Sequence, residues 1–474
     1  MSDKRNKSGF NGGLTRRDAL KVIGGAAALG IGGLPFGERL FAQTLPKRPN
    51  ILFVLTDDHR WDCMGAMGHP FLKTPTMDRI ANEGVLFENA FVTTSLCSPS
   101  RASFLTGQYA STHGVINNFS RWDEDQNITF LQHLKEAAGY DTAFIGKWHM
   151  PGGGLPNLPG VDLFISFTKK DGQGDYLNCP IYKNGDLVTE PRNPYITEDL
   201  TDYALEYISK ERSGPFALYL SHKAVHHDWR PPQHLAGMYK DADLSFLAPE
   251  SDTFDTWTGN NWLEGTMGLM HPVYRRYCEC ITSVDEQLGR IVALLEEKGI
   301  LDDTVIVYCG DNGYIWGEHR LYAKHWPYEE SIRIPYLVRY GRFLPEPGRR
   351  ADQMVLNIDL APTLMELAGI RPAASMQGDS FAPILRSADA AGRDAFIYEL
   401  FKDFPFGGRV PTHKALRTER YKYIEWEECR TPELYDLVSD PREMKNLVGT
   451  GEGERLTGDL ANELAALKER YSIR

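Results

Sequence analysis

Four short polar runs in this chain each follow an apolar stretch. Asp57-Asp58 come after Ile51-Leu52-Phe53-Val54-Leu55, and Lys147 and His149 come after Thr142–Ile145. His222, His226 and His227 come after Phe216–Leu220, and Asp311-Asn312 come after Thr304–Tyr308. Asp57, Asp58, Asp311 and Asn312 offer oxygen ligands, which suit a hard cation such as Ca²⁺ or Mg²⁺ rather than Zn²⁺. Such a cation would hold an anionic substrate and polarise its oxygens. It would also offset repulsion among three carboxylates that otherwise could not sit together ionised. Taken singly, each residue reads as a helix cap, a turn, a surface lysine or a structural histidine. Their shared placement after strands is what chance explains poorly.

The elements that must bring them together are legible in outline. The continuous apolar runs 51–55, 142–145, 216–220 and 304–308 read as buried strands. Residues 76–82 read as a short helix ended by Gly84, and 131–138 as a helix stopped by Gly139. Residues 274–298 read as a long helix, with Ile281, Val284, Leu288, Ile291 and Leu295 mostly at helical spacing. This alternation predicts an α/β fold, with a largely parallel central sheet flanked by helices. Ligands of such sheets bind outside the carboxyl ends of the strands, where the polar runs lie. After about residue 370 the pattern changes. Short strands are expected at 396–398, 415–417, 421–424 and 433–437, with Arg420 in a tight turn, and a helix at 456–469. These read as a smaller antiparallel sheet packed by a helix, over 371–474.

The chain has 474 residues and a formal net charge of −12. Residues 1–42 carry seven Lys/Arg and three Asp/Glu, a net of +4 that leaves −16 beyond them. Bulk charge therefore argues against nucleic acid as a partner. An anionic substrate would need a local basic pocket. Thr15-Arg16-Arg17-Asp18-Ala19-Leu20-Lys21 precedes a 15-residue apolar run from Val22 to Phe36. That run is short for a membrane span of roughly 20 residues, and charge before a short apolar run is signal-peptide order. The paired arginines resemble a bacterial twin-arginine signal, with Leu40-Phe41-Ala42 as an imperfect cleavage site. Residues 1–42 are therefore read as a leader, and the protein as exported to the periplasm or beyond. The seven cysteines are an odd number without a disulfide-framework spacing, and Cys278-x-Cys280 within a helix points to two faces.

Cys97-Ser98-Pro99-Ser100-Arg101, followed by Leu105-Thr106-Gly107, closely resembles the sulfatase motif C-x-P-S-R with L-T-G. The surrounding pieces match in order: Thr56-Asp57-Asp58, Gly146-Lys147-Trp148-His149, Ser221-His222-Lys223-Ala224-Val225-His226, Gly310-Asp311-Asn312-Gly313, and Lys324 before Tyr328-Glu329-Glu330. The resemblance runs from about residue 48 to the C-terminus. It is to the formylglycine-dependent sulfatases of the alkaline-phosphatase-like superfamily, and among them to bacterial glycan sulfatases of the N-acetylglucosamine-6-sulfatase type.

That resemblance implies a catalytic domain over 43–370 and a C-terminal subdomain over 371–474. It implies that Cys97 is oxidised to formylglycine by a formylglycine-generating enzyme before twin-arginine export. The hydrated aldehyde of such a residue attacks sulfur with one hydroxyl and expels sulfate with the other, a release step that a thiol lacks. Asp57, Asp58, Asp311, Asn312 and modified Cys97 match the ligands of a calcium ion. Arg101 would orient the diol, while Lys147 and Lys324 would bind sulfate oxygens. His149 would contact the diol and assist its deprotonation, and His226 would protonate the leaving alcohol. His222 and His227 are neighbours that compete with His226 for that role. His227 and His325 depart from the usual pattern on the leaving-group side and bear on substrate choice. The implied activity is hydrolysis of sulfate monoesters on a small molecule or glycan. The alternatives are a phosphomonoester or phosphonate monoester hydrolase of the same superfamily, and a non-catalytic glycan-binding relative.

Overall fold

In the computed structural model, the described residues are 48–150, 158–167, 172–247, 270–402, 410–428 and 431–473. The expected leader lies outside them. At the centre is a ten-stranded sheet. Its middle is parallel, in the order Thr304–Gly310, Asn50–Thr56, Phe216–Ser221, Asp141–Gly146, Leu163–Phe167. Tyr336–Arg339 and Val85–Phe87 extend one edge in antiparallel pairing, followed by Arg349–Ala351 in parallel. Ile181–Lys183 and Asp186–Val188 extend the other edge as a short antiparallel hairpin. The predicted largely parallel α/β architecture is therefore observed.

The central strand shows why the sheet is buried on both faces. Leu52 and Val54 belong to one apolar cluster, while Ile51, Phe53 and Leu55 belong to another. Alternate side chains of a strand leave the sheet on opposite sides, so an unbroken apolar run needs a cover on each. Full burial of each such side chain stabilises the fold by about 1.5–3 kcal/mol. Pro75–Glu83, Ile196–Ser209 and Met270–Glu297 cover the first face. Cys97–Thr106, Phe130–Ala138 and Leu360–Leu367 cover the second. Among the described residues no helix is long and apolar enough to cross a membrane.

Near the C-terminus, Ala395–Leu400, His413–Thr418, Tyr421–Trp426 and Glu433–Asp436 form the expected antiparallel sheet. Arg420 sits in its tight turn, where the Tyr421 N–H donates to Thr418 Oγ1 at 2.8 Å. The helix Gly453–Tyr471 packs on this sheet through Leu460 and Leu464. The same apolar cluster takes in Phe91, Trp326, Ile332 and Ile358, so the small sheet has its core in common with the larger part.

Candidate active site

Register does most of the assembly. Thr56 lies opposite Gly310, Leu55 opposite Ser221, and Ser221 opposite Gly146. Four strands therefore end level, and the residues that follow them form one row. Asp57, Asp311, His222 and Lys147 each come directly after a strand. Backbone bonds hold the row: the Asp311 N–H donates to Thr56 O at 2.8 Å, and the Lys147 N–H donates to Ser221 O at 2.7 Å. Gly146 has φ +117°, and a Cβ there would fall 1.8 Å from Ser221 O. Only glycine lets these two strand ends approach so closely.

Cys97 enters from above this row as the first residue of the helix Cys97–Thr106, all ten of whose residues are buried. Its sulfur lies 3.4 Å from Asp57 Oδ1 and 2.7 Å from Lys324 Nζ. One turn on, Arg101 is locked from several sides. Its Nε donates to Asp311 Oδ2 at 2.9 Å, and its Nη1 donates to Ser221 Oγ at 2.6 Å and to Lys147 O at 3.0 Å.

Cations and carboxylates are interleaved. Lys147 bonds Asp57 Oδ2, and Lys324 bonds Asp58 Oδ1. Asp57, Asp58 and Asp311 are at most 1 % exposed. Burial pushes the Asp57 carboxyl up, but Lys147 and its cationic neighbours outweigh it and hold the group well below its ordinary value. Asp58 is raised by burial, against Lys324. Asp311 is pushed up to about 6 by burial and by repulsion from Asp57, against Arg101. Burial, reinforced by Asp57, pushes the Cys97 thiol up to about 12. As a thiol Cys97 therefore stays protonated and is a poor nucleophile at neutral pH.

The same set fits a cation. Oxygens of Asp57, Asp58 and Asp311 lie within 4.8 Å of one another. Asn312 Nδ2 donates to Asp58 Oδ1 at 2.7 Å, which leaves its Oδ1 buried without a hydrogen-bond partner. A buried amide oxygen without a donor, beside three carboxylates, matches a hard ion's demand for oxygen.

The histidines separate by environment. His226 Nε2 is 3.8 Å from Asp58 Oδ2, and its Nδ1 bonds His227 O at 2.9 Å. Burial first, then His227 and Lys147, hold it neutral, against Asp57. The ring of His227 rests on that of His226, with centroids 4.0 Å apart. His222 is lowered to about 3 by burial. His227 is lowered to about 3 by burial and then by Lys223, Lys324 and Lys147, so both it and His226 lie in the field of the charge cluster, and the His226 ring nitrogen is the one placed 3.8 Å from Asp58 Oδ2. His325 Nδ1 bonds Lys324 O at 2.8 Å, and Tyr398 donates to His325 O at 2.9 Å. His149 is held neutral by burial and by Lys147.

Two participants were not singled out by sequence reasoning. Ser221 joins Arg101 to the Lys147 carbonyl, to which its hydroxyl donates at 2.8 Å. Its sequence signal is its place between the apolar run 216–220 and His222; the structure extends the strand through it. Gln173 lies between Lys147 Nζ at 2.5 Å and His149 Nε2 at 3.0 Å. Its only sequence signal is a polar side chain between two glycines, Gly172 and Gly174.

The sulfatase family model matches residues 49–370, and a model of the N-sulphoglucosamine sulphohydrolase C-terminal part matches 317–470. An N-acetylglucosamine-6-O-sulfatase of Bacteroides thetaiotaomicron is 30% identical, over 90% of this chain and 87% of its own. A protein solved in complex with its substrate D-glucosamine-2-N,6-O-disulfate superposes with TM-score 0.79 at 29% identity, covering 90% of this chain and 98% of its own. A phosphonate monoester hydrolase of Agrobacterium radiobacter shares the fold, with TM-score 0.74 at 23% identity over 90% of this chain and 97% of its own. The motif around Cys97, the row of strand ends and the family match lead to one conclusion: this chain belongs to the sulfatase family and is a sulfuric ester hydrolase.

Proposed function

We propose that this protein hydrolyses sulfate monoesters of sulfated carbohydrates, with 6-O-sulfated glucosamine units as the leading substrate class. The observation that carries the reading is Cys97 at the head of a buried helix, against Lys324 and Asp57 and close to Lys147. A thiol pushed up to about 12 is unsuited to attack, which supports its replacement by formylglycine. The bacterial relative named for N-acetylglucosamine 6-sulfate, and the neighbour bound to a glucosamine disulfate, support the sugar.

Each residue has a proposed part. Asp57, Asp58, Asp311 and Asn312, with the modified position 97, hold calcium, which supplies charge to seat sulfate oxygens. Formylglycine supplies a hydrated aldehyde, with one hydroxyl for attack and the other for release of sulfate. Arg101, fixed by Asp311, Ser221 and the Lys147 carbonyl, orients position 97. Lys147 and Lys324 bind sulfate oxygens and stabilise charge as the S–O bond breaks. His149 hydrogen-bonds the hydroxyls at position 97. His226 gives a proton from Nε2 to the leaving alcohol oxygen. A sulfate anion on the two lysines cancels the repulsion that keeps His226 neutral, and so raises its affinity for that proton. His227 and His325 contact the sugar on the leaving-group side.

Residues 43–370 form the catalytic part and 371–474 the smaller one. The leader, residues 1–42, directs export by the twin-arginine route, after a formylglycine-generating enzyme has acted on Cys97.

The test is expression together with that enzyme, mass analysis of the peptide containing position 97, and assay on defined sulfated saccharides, aryl sulfate and aryl phosphate. An aldehyde at position 97 and sulfate release from 6-O-sulfated glucosamine derivatives are expected. A retained thiol, or faster turnover of aryl phosphate than of aryl sulfate, would overturn the proposal.

A further inference from the structure

The amide of Gln173 spans two groups of the site, and its chemistry is constrained at both ends. Its Oε1 lies 2.5 Å from Lys147 Nζ, and its Nε2 lies 3.0 Å from His149 Nε2. A lysine ammonium only donates, so the oxygen of the amide must face Lys147. The amide NH₂ then faces the ring and donates to it. The nitrogen that receives this bond must be bare, so the proton of the neutral imidazole belongs on Nδ1. Protonating His149 at Nε2 would set two donors against each other. Flipping the amide to relieve them would set its NH₂ against the Lys147 ammonium.

The ring is also held by shape. Gly172 has φ +69°, and a Cβ there would fall 3.0 Å from His149 Cδ2 and 3.1 Å from its Cα. The loop backbone therefore lies directly on the imidazole. His149 Nδ1 is buried without a hydrogen-bond partner among the described residues. A buried N–H left open in this way is a donor waiting for an acceptor.

We propose that Gln173 is a positioning residue that fixes His149 as its Nδ1–H tautomer and couples it to Lys147. This deepens the sulfatase reading and rests on it for its catalytic meaning. His149 then meets an oxygen at position 97 as a hydrogen-bond donor. In that tautomer the bare nitrogen of His149 is occupied by the amide.

The test reads the tautomer directly and needs neither turnover nor modification of Cys97. The full chain is labelled with ¹⁵N at histidine, and the His149 signal is assigned by its loss in H149Q. Wild type is expected to show a protonated Nδ1 and a bare Nε2. In Q173E the carboxylate keeps Lys147 and accepts from the ring, so the proton should move to Nε2. His113 controls for folding, because its Nδ1 accepts from the Val115 N–H at 3.1 Å and its proton lies on Nε2 toward Ser103 Oγ. If Q173E disturbs the His113 signal, Q173M carries the same test, and His149 must lose its exclusive Nδ1–H form. On the active enzyme, Q173M should lower kcat about tenfold while KM changes less than about threefold, as for a lost hydrogen bond felt mainly in the transition state. An Nε2–H wild type, or a tautomer unchanged in a folded Q173E, overturns the proposal whatever the substrate proves to be.

Discussion

Lys324 Nζ lies 2.7 Å from the Cys97 sulfur and also bonds Asp58 Oδ1, so one ammonium joins position 97 to the carboxylate cluster. Asp58 and its neighbours raise the proton affinity of Lys324 well above that of an ordinary lysine, despite its burial. The side chain therefore stays charged throughout the working pH range.

Removing that charge should cost rate and increase dependence on the metal. K324A is expected to lower kcat/KM by at least about 100-fold, the size of effect found for a single group that stabilises developing charge. Asp57 and Asp58 would lose a cation that offsets their repulsion, so added calcium should raise Tm more in K324A than in the parent. Steady-state assays and thermal melts with and without calcium check both. Activity within about threefold of the parent would remove Lys324 from the reaction.

Asp311 tests the cation more directly. Its Oδ2 is held by Arg101, while its Oδ1 accepts from the Asp58 N–H at 3.0 Å. D311N keeps the shape and removes one negative charge from the cluster. Calcium affinity, measured by titration calorimetry on chelator-treated protein, should fall at least about tenfold, since loss of one charged oxygen ligand weakens a hard-ion site. Rate should fall with it and recover partly at high calcium. An affinity equal to that of the parent would place the ion elsewhere.

Much of this site could be read before the fold was known, for a physical reason. Asp57, Lys147 and Asp311 directly follow apolar strands, and parallel strands in register end level, so succession along the chain became adjacency in space. Arg101 needed the Cys97 motif, because a lone arginine in a short helix of mixed polar and apolar residues has no periodic signal. The helix Cys97–Thr106 itself shows no split into a polar and an apolar face, because Ser98, Ser100, Arg101, Ser103 and Thr106 are buried along with its apolar residues. Gln173 was invisible because loops carry no period, and its partners are 24 and 26 residues away. The edge strands Ile181–Lys183 and Asp186–Val188 are three residues each, too short for an alternation to emerge.

The proposed role of His226 as proton donor should show itself through the leaving group. His226 Nδ1 is committed to the His227 carbonyl, which leaves Nε2 as the nitrogen able to meet a substrate oxygen. H226A should slow turnover of alkyl and sugar sulfates by about 10²–10⁴-fold, the range for general acid catalysis. Aryl sulfates with acidic phenols need little protonation and should lose far less. A rate loss independent of leaving-group pKa would assign His226 to binding instead.

Stability should carry a signature remote from the chemistry. Glu399 lies in the strand Ala395–Leu400, fully buried, and its Oε1 accepts from the Ser111 N–H at 2.9 Å. Its Oε2 is buried without a donor, and burial pushes the carboxyl from 4.5 up to about 7. The unfolded chain then loses this proton before the folded one does. Stability from this group is therefore full below pH 4.5, falls as pH rises toward about 7, and is flat above. E399Q keeps an oxygen for Ser111 and cannot ionise. It should match the parent near pH 4.5 and exceed it above pH 7. The gap should reach at most about 3 kcal/mol, as the size of the shift allows. Urea unfolding at pH 5 and pH 8 measures that gap, and a difference that does not widen with pH would show that Glu399 is ionised in the folded protein throughout.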